Sequence, residues 1–590
     1  MATRGNVLVL DGNRIPALDI VRSLGRAGLS VVVGAAERDA IAFRSRFCCA
    51  REVYPDPARD ADAFVAWLED AIRRHGCELV IPVTDLTVVP ISKHFSRLRA
   101  LCAIATEPFD KLEVVTDKLK TLAVAQQVGV PCPATAVVRD EADLDRHIAA
   151  LTFPVVGKPM ASSTWSPAGY SSWTVFYALD AEELRRQVAK CIPACPVLLQ
   201  EYRAGTGVGV EVLAKSGEIL QAFQHQRLHE LPLTGGGSTY RVSVPVDSRL
   251  RDYASRMIAA IGWTGVAMVE FKVNEATGEI ALMEINGRFW GSLPLSSRAG
   301  MAFAADLYDM LVRGVTPPAR RYTVGVRCRK LRDDLEWFKE AAALDANHPY
   351  VSAGLLPRIS SSNLVGDALR LMSPAERYDI QVLSDPVPGL YDLRDIVMTQ
   401  LKMVKRKAVA AGKLAASAWY RLRHRARLVQ RVRDAERVLF VCYGNIMRSP
   451  FASEYLAQRG AAERHTIEVR SAGYYERIGR PADVRAVAAS RHWGVDLSTH
   501  RSTKLDDDLV AWADLILVMD RPNLTAVRRS YPSAAGKTYL LGSIGSDAAA
   551  DVEIADPFNG PYEATERTYV RIADAIDRFV TFGRRREAHS

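Results

Sequence analysis

The chain has 590 residues, too many for one hydrophobic core, so several domains are expected. An apolar content of 48% and a charged content of 25% exclude a disordered or collagen-like chain, and no apolar run nears the ~20 residues of a membrane-spanning helix. The net charge of +9 is concentrated: residues 402–433 hold eleven Lys or Arg and no Asp or Glu, leaving the rest of the chain close to neutral.

Nine scattered cysteines lack paired metal-ligand spacing, which argues against zinc and for a reducing setting. The first residues do not read as a signal peptide, so a cytoplasmic location is expected. The opening reads strand (7–10), turn at Asp11-Gly12-Asn13, helix (17–27) and strand (30–33), with another strand at 79–83. This is a βαβ beginning without Gly-x-Gly-x-x-Gly, so dinucleotide binding is not supported.

Further along, Asp117-Lys118 precedes a helix, and Val155-Val156-Gly157-Lys158 sets a lysine at the end of a buried strand. The apolar strand Val197-Leu198-Leu199-Gln200 runs into Glu201-Tyr202. A hairpin follows, residues 266–273 and 279–286 around the turn 274–278. A five-residue loop pairs Val273 with Glu279, which opposes Glu270 to Leu282 and Glu284 to Met268. The period of two then puts Glu270, Glu284 and Asn286 on one face, and Ala267, Val269, Phe271, Ala281, Met283 and Ile285 on the other. Two carboxylates and an amide oxygen are hard ligands suited to magnesium shared with phosphates, or to manganese in its place.

Lys118, Lys158, Glu201, Glu270 and the run Glu284-Ile285-Asn286-Gly287-Arg288 resemble, in order and spacing, the ATP-grasp superfamily, nearest its carbamoyl-phosphate-synthase-like and carboxylate–amine ligase branches. The resemblance implies ATP between two subdomains. Lys118 and Lys158 would contact phosphates, Glu201-Tyr202 adenine, Glu270, Glu284 and Asn286 magnesium, and Arg288 the transferring phosphoryl group. A carboxylate would become an acylphosphate open to attack by an amine. Two departures favour an alternative, a non-catalytic nucleotide-sensing module. The loop 161–173 is serine-rich with only Gly169, and the usual ribose acid falls at Gly207, with Glu211 as a substitute. Thr234-Gly235-Gly236-Gly237-Ser238, between Arg227 and Arg241, could form an N–H nest for an anion.

Residues 319–393 carry no motif. Residues 394–433 read as a basic helix that Gly412 divides, with Trp419 and Tyr420 on a face open either to solvent or to anionic lipid. No nucleic-acid-binding module accompanies the charge, so no nucleic-acid partner is expected.

The strand Val438-Leu439-Phe440-Val441 then enters Cys442-Tyr443-Gly444-Asn445-Ile446-Met447-Arg448-Ser449 and a helix. Such a loop aims backbone N–H groups inward beneath a helix N-terminus, making an anion cradle that favours a thiolate. Arg448 supplies a planar fork for phosphate oxygens. A nucleophile, a cradle and a clamp so close together imply phosphoryl transfer through a cysteinyl-phosphate. Cys442, Gly444, Asn445, Arg448, Ser449 and Pro450 resemble the loop of the low-molecular-weight protein tyrosine phosphatases. Ser471-Ala472-Gly473, His500-Arg501-Ser502, Val518-Met519-Asp520 and Ala555-Asp556-Pro557 follow in that family's order. The resemblance implies that Asp556 is the general acid, that Asn445 holds the loop and that Ser449 bonds the sulfur. A second cysteine common in relatives is Met447 here, and Phe558-Asn559 stand where tyrosines often line the mouth.

The expected architecture is therefore multidomain α/β. It comprises a βαβ domain (1–110), an ATP-grasp domain of two α+β subdomains (111–318), a mixed extension (319–393), a basic helical linker (394–433) and a four-stranded parallel α/β phosphatase domain (434–590). Phosphotyrosine protein or aryl phosphate is the expected phosphatase substrate, with an unnamed carboxylate and amine for the ligase.

Overall fold

A computed structural model describes residues 5–160, 163–166, 169–172, 174–192, 195–462, 467–547 and 551–584. The chain divides into two compact units, Met1–Val397 and Met398–Ser590.

The first unit opens with β1 (Asn6–Val9), α1 (Ile15–Arg26), β2 (Ser30–Ala35), β3 (Cys48–Val53), β4 (Leu79–Ile81) and β5 (Ala103–Ile104). The strands form one parallel sheet in the order β3-β2-β1-β4-β5. The inner strands β1, β2 and β4 are short, largely apolar and buried, as suits strands covered on both faces, while the edge strand β3 carries Arg51 and Glu52. Asp11, at φ 58°, turns the chain after β1. Its carboxylate accepts from Val83 N (3.0 Å), Thr84 N (2.8 Å) and Thr87 Oγ1 (2.6 Å), tying that turn to the end of β4.

Helix α2 (Lys118–Gln127) is capped by Asp117, whose side chain accepts from Leu119 N. A second sheet contains β6 (Thr135–Val138), β7 (Val155–Pro159), β10 (Phe176–Ala178) and β11 (Val197–Glu201), in the order β10-β7-β11-β6, all antiparallel. Between β7 and β10 lies the hairpin of β8 (Ser163–Ser166) and β9 (Gly169–Ser172). The remainder of the serine-rich loop falls outside the described residues.

The third sheet has seven strands: β12 (Thr206–Lys215), β13 (Glu218–Leu231), β14 (Gly237–Val244), β15 (Gly265–Val273), β16 (Ile280–Asn286), β17 (Arg327–Arg329) and β18 (Arg377–Tyr378). Their order is β16-β15-β12-β13-β14-β17-β18. The stretch 319–393 thus extends this sheet with β17 and β18. Arg329 secures the extension. It is buried, ion-paired to Asp334 (2.5 Å) and Glu376 (3.3 Å), and stacked 3.5 Å over the Tyr240 ring.

The β15–β16 register differs from expectation. Glu270 pairs with Glu284 and Met268 with Asn286, whereas Phe271 pairs with Leu282, because a bulge interrupts the ladder after Glu270. An extra residue on one strand reverses the side-chain alternation beyond it. Leu282 therefore enters the core, and Met283, expected on the apolar face, lines the cleft instead.

Helix α3 (Pro386–Asp434) runs unbroken for 49 residues. Gly412 does not divide it, since an interior glycine costs only about 1 kcal/mol relative to alanine, leaving the backbone hydrogen bonds intact. Tyr420 is no lipid-facing residue: it is 3% exposed, inside a core cluster of the second unit.

The second unit holds four parallel strands, β19 (Arg437–Cys442), β20 (Glu468–Gly473), β21 (Leu515–Val518) and β22 (Thr538–Leu540), in the order β20-β19-β21-β22. Helices α4 (Arg448–Ala462) and α5 (Tyr562–Arg584) pack together on one side, where the Phe451 and Tyr569 rings stack at 3.8 Å. No helix among the described residues is long and apolar enough to cross a membrane.

Candidate functional sites

In the first unit a cavity of about 460 Å³ opens between the second and third sheets. Lys118, Lys158, Glu201, Tyr202, Glu270, Glu284, Asn286 and Arg288 all line it. Lys118 begins α2, Lys158 lies on β7 and Glu201 ends β11. Burial, reinforced by the Lys118 and Lys272 charges and opposed by Glu284, pulls Lys158 down to about 8. A phosphate placed there would restore its charge.

Glu270 and Glu284 stand directly opposite each other, and Asn286 Nδ2 donates to both, at 3.1 and 3.2 Å. Burial first, then the charge of Glu284, raises Glu270 to about 7 despite its ion pair with Arg227. A cation between the two carboxylates would relieve that cost. Magnesium fits this donor set, with the Asn286 amide turned to present its oxygen and phosphates completing the shell. Among the described residues no group of three or more His, Cys, Asp or Glu could hold a metal without such help.

Sequence reasoning gave no role to Lys272, Glu230 or Asp85, and named Arg227 only as a flank of the glycine loop. Arg227 donates to Glu230 and to Gly236 O, both at 3.0 Å, and so ties the glycine loop to the carboxylates. Lys272 sits 4.8 Å above the Tyr202 ring. Its place two residues after Glu270 was the available signal. Arg288 is held bidentately by Asp85, at 2.9 and 3.1 Å. One other expectation fails: Glu211, the substitute for the ribose acid, is fully buried against His225 and Ser292 and does not face the cleft. Arg241, beyond the glycine loop, is buried against Asp379.

In the second unit the end of β19 delivers Cys442 to the N-terminus of α4. Cys442 Sγ lies 3.0 Å from Ser449 Oγ and accepts from Asn445 N at 3.3 Å. Asn445 adopts φ 49°, a left-handed conformation that asparagine tolerates better than most residues. Its Nδ2 donates to Ser449 Oγ and Ser471 Oγ, both at 3.0 Å, and its Oδ1 accepts from Thr503 N at 2.8 Å. Gly473 is required beside it, since a Cβ there would stand 2.7 Å from Tyr443 O and 2.9 Å from Asn445 N.

Arg448 is 2% exposed and donates to Asp520 (2.6 Å), Ile554 O (3.0 Å) and Asp556. Burial opposes its charge, but Cys442, Asp556 and Asp520 more than compensate, and its pKa rises. Cys442, Arg448, Asp556, Tyr443, Tyr475 and Phe558 line a cavity of about 360 Å³. Asp520 and Tyr475 are the neighbours that sequence reasoning did not assign a role. His500 supports the loop from behind through Asn445 O at 2.8 Å, and burial lowers its pKa.

Residues 437–586 match the family model of the low molecular weight phosphotyrosine protein phosphatases. The probable low molecular weight protein-tyrosine-phosphatase EpsP of Ralstonia nicotianae is 36% identical over 143 residues, covering 24% of this chain and 92% of that protein. Through its second unit, the chain belongs to this family. A protein-arginine-phosphatase of Geobacillus stearothermophilus is 34% identical over 142 residues, again 92% of its length. This phosphatase is joined to an ATP-grasp domain: residues 194–333 match the model "ATP-grasp in the biosynthetic pathway with Ter operon". The crystal structure of an L-amino acid ligase from Bacillus licheniformis is similar at 16% identity and a TM-score of 0.42, over 53% of this chain and 75% of that one.

Proposed function

We propose that the second unit hydrolyses phosphotyrosine-type monoesters and that the first is a magnesium–ATP-dependent ligase. The phosphatase reading rests on one observation: Cys442, Arg448 and Asp556 share a single cavity with an aromatic rim. A substrate phosphate would take the place of Asp556 on the Arg448 fork. Cys442 Sγ then attacks phosphorus, the P–O bond to the aryl oxygen breaks, and Asp556 passes its proton to that oxygen. Water, deprotonated by the same carboxylate, cleaves the S–P bond and releases phosphate. Ser449 donates to the sulfur as it leaves, and Asn445 keeps the cradle in shape.

In the ligase cleft Lys118 and Lys158 would bind ATP phosphates and Glu201-Tyr202 the adenine. Glu270, Glu284 and Asn286 would hold magnesium, whose charge would offset that of the phosphates. Arg288, kept in position by Asp85, would face the phosphoryl group passing from ATP to a carboxylate as ADP leaves, and an amine would attack the carbonyl of the resulting acylphosphate and displace phosphate. Residues 402–433 would bring the protein to an anionic membrane surface.

The test uses the full chain. Cys442→Ser should abolish hydrolysis of p-nitrophenyl phosphate and of a phosphotyrosine peptide while ATP binding persists. Surviving hydrolysis would overturn the assignment. Incubation with ATP and pools of carboxylates and amines should give substrate-dependent ADP release. ATP binding without any such release would instead make the first unit a nucleotide sensor.

A further inference from the structure

Resting on the proposal that residues 402–433 seek an anionic membrane, the geometry points to one specific face of α3, which we infer lies in the lipid interface. Every residue from 401 to 416 is exposed. Beyond that point the helix is half occupied, because Ser417, Tyr420, Leu428 and Val432 are buried in the second unit. At 100° per residue, Leu401, Val404, Ala408, Ala411, Ala415, Trp419 and Leu422 fall within about 40° of one line, pointing away from that buried side. Leu401, Val404, Trp419 and Leu422 are 56%, 64%, 59% and 84% exposed. The stripe is about 32 Å long at 1.5 Å per residue.

Its borders identify what covers it. Lys405 and Arg423 lie on one flank, and Lys407 and Arg425 on the other, each pair 18 residues and therefore five turns apart. The Arg423 guanidinium lies 5.5 Å from the Trp419 ring. Long basic side chains on both sides of an apolar line, with an indole within it, match an interface where stems and rings enter hydrocarbon and cationic heads meet phosphates. A second copy is disfavoured, since either orientation would set these bases against identical bases with no acid from 402 to 433. A nucleic acid would satisfy the charges but leave the apolar line uncovered.

The probe is vesicles of phosphatidylcholine with about one-third phosphatidylserine, some carrying brominated acyl chains, mixed with the full-length protein. Binding should weaken with salt, and brominated lipid should quench fluorescence that disappears in Trp419→Phe. Lys405→Gln with Lys407→Gln should bind about 25-fold more weakly, at roughly fivefold per cationic residue. Leu401→Ser with Val404→Ser should also weaken binding, with hydrolysis of p-nitrophenyl phosphate unchanged in both. No vesicle binding at any salt overturns the membrane reading as a whole. Vesicle binding with Trp419 unquenched and the serine variant unaffected overturns only this face. Concentration-dependent dimers lost in the serine variant would assign the stripe to a second copy and overturn it as well.

Discussion

Replacing Asn445 separates what its backbone and its side chain each do for the cradle. In Asn445→Ala three hydrogen bonds go, to Ser449, Ser471 and from Thr503, worth about 1 kcal/mol each. Holding alanine at φ 49° adds roughly 1 kcal/mol, for a total of about 4 kcal/mol. Asn445→Gly loses the same hydrogen bonds without the conformational strain and should cost about 3 kcal/mol. With a urea dependence of about 2 kcal/mol per molar, the midpoint for loss of p-nitrophenyl phosphate hydrolysis should fall by about 2 M in the alanine variant and about 1.5 M in the glycine variant. Inactivation is the right readout because it reports the second unit alone. An alanine variant within 0.5 M of wild type, or one more resistant than glycine, would refute the account.

Arg448→Lys keeps the charge but loses the fork, so kcat on p-nitrophenyl phosphate should fall by roughly 10²–10³, measured at saturating substrate. ATP affinity should fall by up to about tenfold as pH rises from 7 to 9. Lys158 is lowered to about 8, so it is charged below that pH and neutral above it, and a charge-assisted contact is lost on the way up. Calorimetric titration of wild type and of Lys158→Arg, which should show a flat profile, checks the sign. Glu284→Gln removes the carboxylate facing Glu270, and a magnesium titration of ATP binding should shift by at least about tenfold.

Much of both sites could be read from residues close together in the chain. Cys442 and Arg448 lie within one strand–loop–helix junction, and the loop's chemistry follows from its own backbone. Likewise the two halves of a hairpin put Glu270, Glu284 and Asn286 on one face, because strand alternation is a local property. The bulge after Glu270 was not legible. It depends on how β16 meets its surroundings, and it decided that the carboxylates face each other and that Met283 enters the cleft.

Sequence by itself determined which groups are candidates for the chemistry: a cysteine beneath a helix N-terminus, an arginine fork, paired carboxylates and two lysines at element ends. Only the tertiary structure decided what surrounds them. It brings Asp556 to Arg448 across 108 positions, sets Arg227 between Glu230 and Glu270, and turns Tyr420 inward while Trp419 faces out. Chemical identity and short-range periodicity belong to the chain itself, whereas burial, ion-pair partners and the free side of a helix arise only when distant segments pack.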